Sequence, residues 1–172
     1  SVNLTLTTAQ SGGDAQGDIL SNIEYLTGSS FADTLTGDVN ANIISGLDGN
    51  DTINGGAGND TLNGGLGSDA VNGGDGNDTF ISSVGYDVLN GGAGTDTVSY
   101  ASNVLAVGVN LSTGISTGNA GETLVSIENI IGSAFNDNLI GGANANVIAG
   151  GLGADMINGG AGIDTASYFN SA

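Results

Sequence analysis

The chain contains no lysine, arginine or histidine, and no cysteine, proline or tryptophan. Each absence excludes something. Without imidazole, thiol or amine side chains, the usual general bases and covalent nucleophiles are missing. Without a cationic side chain, nucleic-acid phosphates go unneutralised, so a nucleic-acid partner is excluded. Zinc sites built on Cys and His cannot form. No disulfide is possible, so cysteine usage says nothing of redox compartment. No run of 18 apolar residues exists, so no helical membrane span is expected. No charged n-region precedes an apolar run, and residue 1 is Ser. The chain is therefore expected to be processed, or cut from something longer.

What remains is acidic and glycine-rich. The 172 residues carry 18 Asp plus Glu, a net charge of −18, 33 Gly and 21 Asn. Charged residues make up 10%, all of one sign, where ordinary domains carry about 25% of both signs.

A repeat organises them. From Ile19 to Ser99 the sequence divides into nine blocks of nine, and from Thr123 to Ser167 into five more, 14 × 9 = 126 residues. The clearest blocks are GGAGNDTLN (55–63), GGLGSDAVN (64–72), GGDGNDTFI (73–81) and GGAGTDTVS (91–99). Position 8 is apolar in all fourteen, from Leu26 and Leu35 to Ile157 and Ala166. Position 6 is Asp33, Asp51, Asp60, Asp69, Asp78, Asp87, Asp96, Asp137, Asp155 and Asp164, with Glu24, Glu128, Asn42 and Asn146 completing the set. Twelve of the 18 acids thus share one phase, which a merely solvated acidic surface would not show. A longer repeat overlies this one. Residues 23–61 match 127–165 at an offset of 104, with 23 of 39 identities. Val2-Asn3-Leu4 resembles Val109-Asn110-Leu111, and DTVSY (96–100) resembles DTASY (164–168). The end of the sequence reads as though it should run into another beginning.

One apolar residue per nine with frequent Gly does not make an amphipathic helix. Three residues at positions 7–9 in a strand point position 8 inward and positions 7 and 9 outward. Positions 1–6 then form a turn, and Gly permits positive φ there. Two strands and two turns give a coil of 18 residues, and coils stack about 4.8 Å apart. The alternative, a meander of hairpins, draws on the repeated Asn-Gly pairs, but three-residue strands are short for it. The expected fold class is all-β: a right-handed parallel β-roll, or β-solenoid, without helix. Residues 1–18 and 100–122 fall outside the nonad and are expected as irregular coils, with a strand over 104–111. Residues 168–172 are expected to form a terminal joint.

Stacking sets position 6 of each block above position 6 of the block 18 residues on. Asp33–Asp51–Asp69–Asp87 form one column and Asp60–Asp78–Asp96 another; Asp137–Asp155 and Asn146–Asp164 continue the pattern. Such columns repel strongly. No side chain supplies the counter-charge, so a cation must. Carboxylates with Gly-rich backbone carbonyls make an all-oxygen shell, suited to Ca²⁺ more than to Mg²⁺.

The pattern G-G-x-G-x-D-x-U-x resembles the nonapeptide of the RTX calcium-binding β-roll proteins. That resemblance implies several Ca²⁺ ions lying between adjacent turns. Position-6 carboxylates and turn carbonyls would bind them, here foremost Asp51, Asp60, Asp69, Asp78 and Asp96 with Gly56, Gly58, Gly65, Gly67, Gly74 and Gly76. It also implies a bacterial exoprotein, extracellular or on the cell surface, exported unfolded. Four departures stand out. Ser82-Ser83 replaces Gly-Gly before Asp87, which weakens that site. Asn42 and Asn146 are neutral and are expected to form Asn ladders instead. Their blocks carry Asn40 and Asn144 where Gly belongs. Glu24 and Glu128 are longer and are expected to cap the ion rows. Phe31, Phe80 and Phe135 are expected in core or coil-end packing, and the tyrosines as covers for exposed core. Asp14, Asp18, Asp38 and Glu122 have no partner in the repeat.

Without metal, a thin core and one-sign charge predict a disordered or molten chain, with metal binding coupled to folding. Millimolar calcium outside cells then places folding after export. The leading functional expectation is an extracellular structural β-roll whose copies associate end to end, as a filament or surface-layer subunit. Solenoids normally need caps, none is evident, and no trypsin site exists. The alternative is a calcium-dependent folding and secretion module of a larger RTX exoprotein or adhesin. An ice- or ligand-binding solenoid would want a regular Thr or aromatic ladder, which positions 3 and 5 do not supply. The repeat assigns nearly all acids to metal, so no enzyme is expected.

Overall fold

The computed structural model describes residues 1–118 and 121–168. Position 7–9 triplets form strands throughout, as at Thr34–Thr36, Thr79–Ile81 and Asn138–Ile140. Successive triplets alternate between two sheets, one of ten strands and one of eight. Within each run of nonads, neighbouring strands of a sheet are parallel and 18 residues apart in register: Ile53 lies beside Val71, and Leu62 beside Phe80. This is the β-solenoid expected from the period. A single 3-10 turn at Gly13–Ala15 is the one helical element among the described residues.

Position 8 builds the core. Leu35, Ile44, Ile53, Leu62, Phe80, Val98, Ile130, Leu139 and Ile148 are all fully buried. Burial of each Leu, Ile or Phe stabilises by roughly 1.5–3 kcal/mol, against a chain with few other apolar contacts. In the middle of the roll, strands run on to position 3 of the next block, as in Thr52–Ala57, Thr61–Leu66, Ala70–Asp75 and Val88–Ala93. The six-residue turn expected there shrinks to three. The cause is the glycine at position 1, which brings the backbone inward in strand geometry, so that positions 8 and 1 are both buried in the alternation.

Residues 100–122 hold more order than expected. Gly108–Asn110 pairs in parallel with Asn138–Ile140. Ile115–Thr117 runs antiparallel to it, and Thr123–Val125 lies antiparallel on the far side. The meander's three strands enter the ten-stranded sheet alone and, with Val2–Asn3, join six other strands there. The strand over 104–111 is confined to 108–110, and Val104 and Leu105 are exposed. The Asn110 side chain ends it by accepting from the N–H groups of Ser112 and Thr113. Block 123–131 also departs from the nonad. Its first three residues are a strand beside Val88–Asn90, with Leu124 in the core. No glycine is present there to make a turn.

Two aromatic expectations are corrected. Phe80 is core, but Phe31 is 76% exposed and Phe135 is also exposed, because both occupy the outward position 4 of their blocks. Tyr100 is core rather than cover, while Tyr25 and Tyr86 lie open to solvent. The joint expected at 168–172 lies, beyond Tyr168, outside the described residues.

Candidate metal centre

The position-6 residues form a hydrogen-bonded ladder. The main-chain N–H of each donates to the side-chain Oδ1 of the residue one coil on. Asp33 donates to Asp51, Asp51 to Asp69 and Asp69 to Asp87, at 2.8–2.9 Å. Asn42 donates to Asp60, Asp60 to Asp78 and Asp78 to Asp96, each at 2.8 Å. In the second run Asp137 donates to Asp155 and Asn146 to Asp164. The stacking of position 6 over position 6 is therefore as the period requires.

One oxygen of each carboxylate is thereby used, and the fate of the other sorts the sites. The Oδ2 atoms of Asp51, Asp60, Asp69, Asp78 and Asp96 are buried and without a hydrogen-bond partner. A buried unpaired carboxylate oxygen is costly. Burial raises the pKa of all five above the ordinary carboxylate value of 3.8; the bond from the neighbouring N–H opposes the shift, and adjacent carboxylates add to it for Asp51, Asp60, Asp69 and Asp96. Asp60 and Asp96 are pushed up to about 6.

Position-1 glycine makes the room. A Cβ on Gly46, Gly55, Gly64, Gly73 or Gly91 would strike Oδ2 of Asp51, Asp60, Asp69, Asp78 or Asp96 respectively. Glycines at positions 2 and 4 stack their carbonyls. A Cβ on Gly74 would collide with the carbonyl oxygen of Gly56, one on Gly76 with that of Gly58, and one on Gly85 with that of Gly67. Gly56, Gly58, Gly65, Gly67, Gly74 and Gly76 all have φ between 103° and 136°. Even Leu47, at position 2 of its block, takes a φ of 79°, which shows how strictly the turn demands that conformation.

The remaining carboxylates are satisfied from within. Ser29 donates N–H and hydroxyl to Oδ2 of Asp33, at 2.7 and 2.8 Å. The Ser83 hydroxyl reaches Oδ2 of Asp87 at 3.1 Å. Ser133 donates its N–H to Oδ2 and its hydroxyl to Oδ1 of Asp137. All three serines occupy position 2. Serine at position 2 thus does for the carboxylate what a cation would otherwise have to do. Sequence reasoning flagged Ser83 as a departure but not this rule, which was visible in the shared position of the three serines. Asp155 and Asp164, in the last coils, are only half-buried.

Asn42 and Asn146 do not form the expected ladder with each other's kind. Their Oδ1 atoms accept from the N–H of Asp38 and Gly142, and their amides donate to the carbonyls of Ile23 and Glu128. The Asn ladder lies instead at position 9, where Asn90, Asn72 and Asn54 bond in series. Glu24 is exposed, while Glu128 closes the hydrogen-bonded column. Its Oε2 accepts the Asp96 N–H at 2.9 Å, the place Oδ1 of an Asp takes elsewhere.

Glu122 has partners that the repeat could not show. It is buried and accepts from the hydroxyls of Ser82, Tyr100 and Ser116. Burial, and then the Glu122 charge, raise the Tyr100 pKa far above its normal value.

The donors are all oxygen and the cradle is glycine-lined, which fits a hard cation of calcium type. Among the described residues, no three acidic side chains converge on one point. Carbonyl oxygens of the turns must therefore complete any shell around the orphaned Oδ2 atoms.

Fold and site together define a calcium-binding β-solenoid. The RTX calcium-binding nonapeptide repeat matches in four copies, at residues 20–53, 36–71, 72–102 and 131–166. The chain belongs to that family. No curated protein matches it. No helix among the described residues is long and apolar enough to cross a membrane.

Proposed function

We propose that this chain is a calcium-built structural β-roll, working outside the cell or on its surface, whose copies stack end to end into a filament or layer. The observation that carries the calcium assignment is the row of five buried, unpartnered Oδ2 atoms in a chain without one cationic side chain. We assign the ions to Asp51, Asp60, Asp69, Asp78 and Asp96, with carbonyls of Gly56, Gly58, Gly65, Gly67, Gly74 and Gly76. Asp33, Asp87 and Asp137 drop behind them, because serine already occupies their free oxygens. Asp155 and Asp164 would gain comparable burial only when a further coil covers them.

Calcium then acts as the missing counter-charge between coils. Folding and ion binding become one event, and that event belongs where calcium is millimolar, after export. End-to-end stacking is supported by the two ends of the roll. At one, Ile148, Ile157, Asp164 and Ala166 line an open cavity; at the other, Val2, Asp33 and Leu35 do so. The 3-10 turn Gly13–Ala15 and Asp18 also line the second cavity, while the first ends in open strand edges among the described residues.

Negative-stain electron microscopy in millimolar calcium, repeated after chelation, tests the assembly. Fibres of uniform width that loosen on chelation are the expected result. Discrete short rods at all concentrations would remove the filament and leave a calcium-folded module of a larger exoprotein.

A further inference from the structure

The chain contains its own example of one roll meeting another. The coils over 82–100 correspond to those over 150–168, which share Gly85/Gly153, Asp87/Asp155, Asn90/Asn158, Asp96/Asp164 and Tyr100/Tyr168. The residues that follow the junction, 123–131, correspond to 19–27 at the offset of 104. Inside the chain these two partners are joined. Val88–Asn90 pairs with Thr123–Val125, and Thr97–Ser99 with Asn129–Ile131, both parallel.

At the two ends the same groups are present without each other. Met156–Asn158 and Thr165–Ser167 are the outermost strands of their sheets at one end, and Tyr25–Thr27 is outermost in its sheet at the other. Burial differs between the junction and the ends. Val98, Leu124, Ile127 and Glu122 are buried, whereas Ala166 and Asp18 are exposed and Leu20 and Ile23 only half-buried.

The start of the roll is already shaped for the contact. Ser126 takes a φ of 50° at the internal junction, where its carbonyl lies against Gly91. Its counterpart Asn22 takes a φ of 54° with no coil before it. Two non-glycine residues in the left-handed region at matching positions mark one backbone device used twice. The side branch is kept as well. Gln10 donates its N–H to the Asp18 carbonyl, as Ser116 does to that of Glu122.

We propose that copies of this chain join by repeating the internal junction. Met156–Asn158 of one copy pairs with Ile19–Ser21 of the next, and Thr165–Ser167 pairs with Tyr25–Thr27. The register follows residue by residue: Met156 beside Ile19, Ile157 beside Leu20, Thr165 beside Tyr25, Ala166 beside Leu26. The apolar column then runs unbroken between copies. Glu24 accepts the N–H of Asp164, as Glu128 accepts that of Asp96. The proposal rests on the end-to-end assembly inferred above and specifies its contact.

The chain has no cysteine, so introduced thiols report the register cleanly. Tyr25→Cys and Thr165→Cys single variants, mixed in millimolar calcium and oxidised, should give one disulfide-linked dimer. Both positions face outward, and circular dichroism in calcium verifies that each variant folds. The second sheet supplies an independent pair, Ile19→Cys with Met156→Cys, expected to cross-link likewise. Tyr25→Cys with Ser167→Cys is two residues out of register, beyond the roughly 7 Å that a disulfide spans. It should cross-link at least about tenfold less. Fibres that form while both in-register pairs fail, or while the offset pair matches them, overturn this joint and leave the assembly standing. An unmodified chain that stays single at every concentration removes both.

Discussion

Replacing Asp60 by asparagine should change stability in opposite directions with and without calcium. The amide keeps the oxygen that accepts the Asn42 N–H at 2.8 Å and replaces the orphaned Oδ2 by NH₂. The chain itself shows that the column tolerates this, because Asn42 sits buried one coil earlier. Without metal, the wild-type roll must hold a charged Asp60 whose pKa is raised from 3.8 to about 6. At about 1.4 kcal/mol per pH unit that is roughly 3 kcal/mol, and on the order of 1–2 kcal/mol after solvent screening. Asp60→Asn removes that penalty. With calcium, the substitution removes a carboxylate donor, a loss of about 10–100-fold in affinity at that site. Circular dichroism reads both sides. In chelator, an osmolyte that favours compact states should fold Asp60→Asn at a lower concentration than wild type. In a calcium titration, Asp60→Asn should need more calcium to fold. If both midpoints shift in the same direction, the Oδ2 row is not where the cation acts.

Acid should act on the metal-free chain as it does on few proteins. The folded-state pKa values of Asp60 and Asp96, about 6, exceed the unfolded value of 3.8. Their contribution to stability is therefore complete below about 3.8 and lost as pH rises through about 6. Metal-free circular dichroism should show more strand at pH 5 than at pH 7, and the calcium midpoint should climb as pH falls through about 6. Ser83→Gly should free Oδ2 of Asp87 from its hydroxyl and add calcium capacity, read as a higher stoichiometry in equilibrium dialysis. Gly73→Ala would drive a Cβ into Oδ2 of Asp78 and the Gly91 carbonyl; it should destabilise by at least about 1–3 kcal/mol, and thermal melts in calcium measure it.

Much of this molecule was legible because a period was. The apolar phase at Leu35, Ile53, Val71 and Leu89 dictated two sheets, a core one side chain wide and the 18-residue register. The acidic phase then dictated which carboxylates stack, and Asp51, Asp69 and Asp87 do. Residues 100–122 were illegible for the corresponding reason. A single excursion has no copy against which to phase it, and its strand at 115–117 runs against every other strand. Glu122 belongs to that excursion. Its partners Ser82 and Tyr100 come from 40 and 22 residues away, distances no local pattern encodes. Phe31 and Phe135 were misplaced because aromatic character was weighed above position. At position 4 of these two blocks the side chain faces solvent.

The finer lesson concerns position 2. Read as a motif, Gly-Gly-x-Gly-x-Asp is uniform, and serine at position 2 counts as wear. The structure gives the substitution a consequence. Asp33, Asp87 and Asp137 each carry serine four residues earlier, and each has its second oxygen satisfied there. Asp60, Asp69, Asp78 and Asp96 carry glycine at that place, and each is left with an orphaned oxygen. Asp51 extends the rule, since Leu47 at its position 2 has no hydroxyl to offer and is forced to a φ of 79°. The second oxygen is thus settled by the position-2 residue: the main-chain N–H of Ser29 and Ser133, and the hydroxyl of Ser29 and Ser83, reach it, while Leu47 and the glycines do not. The three self-satisfied carboxylates lie at the first coil, in the coil before the internal meander and in the coil after it. Serine at position 2 closes the second carboxylate oxygen from within, and glycine or leucine there leaves it open.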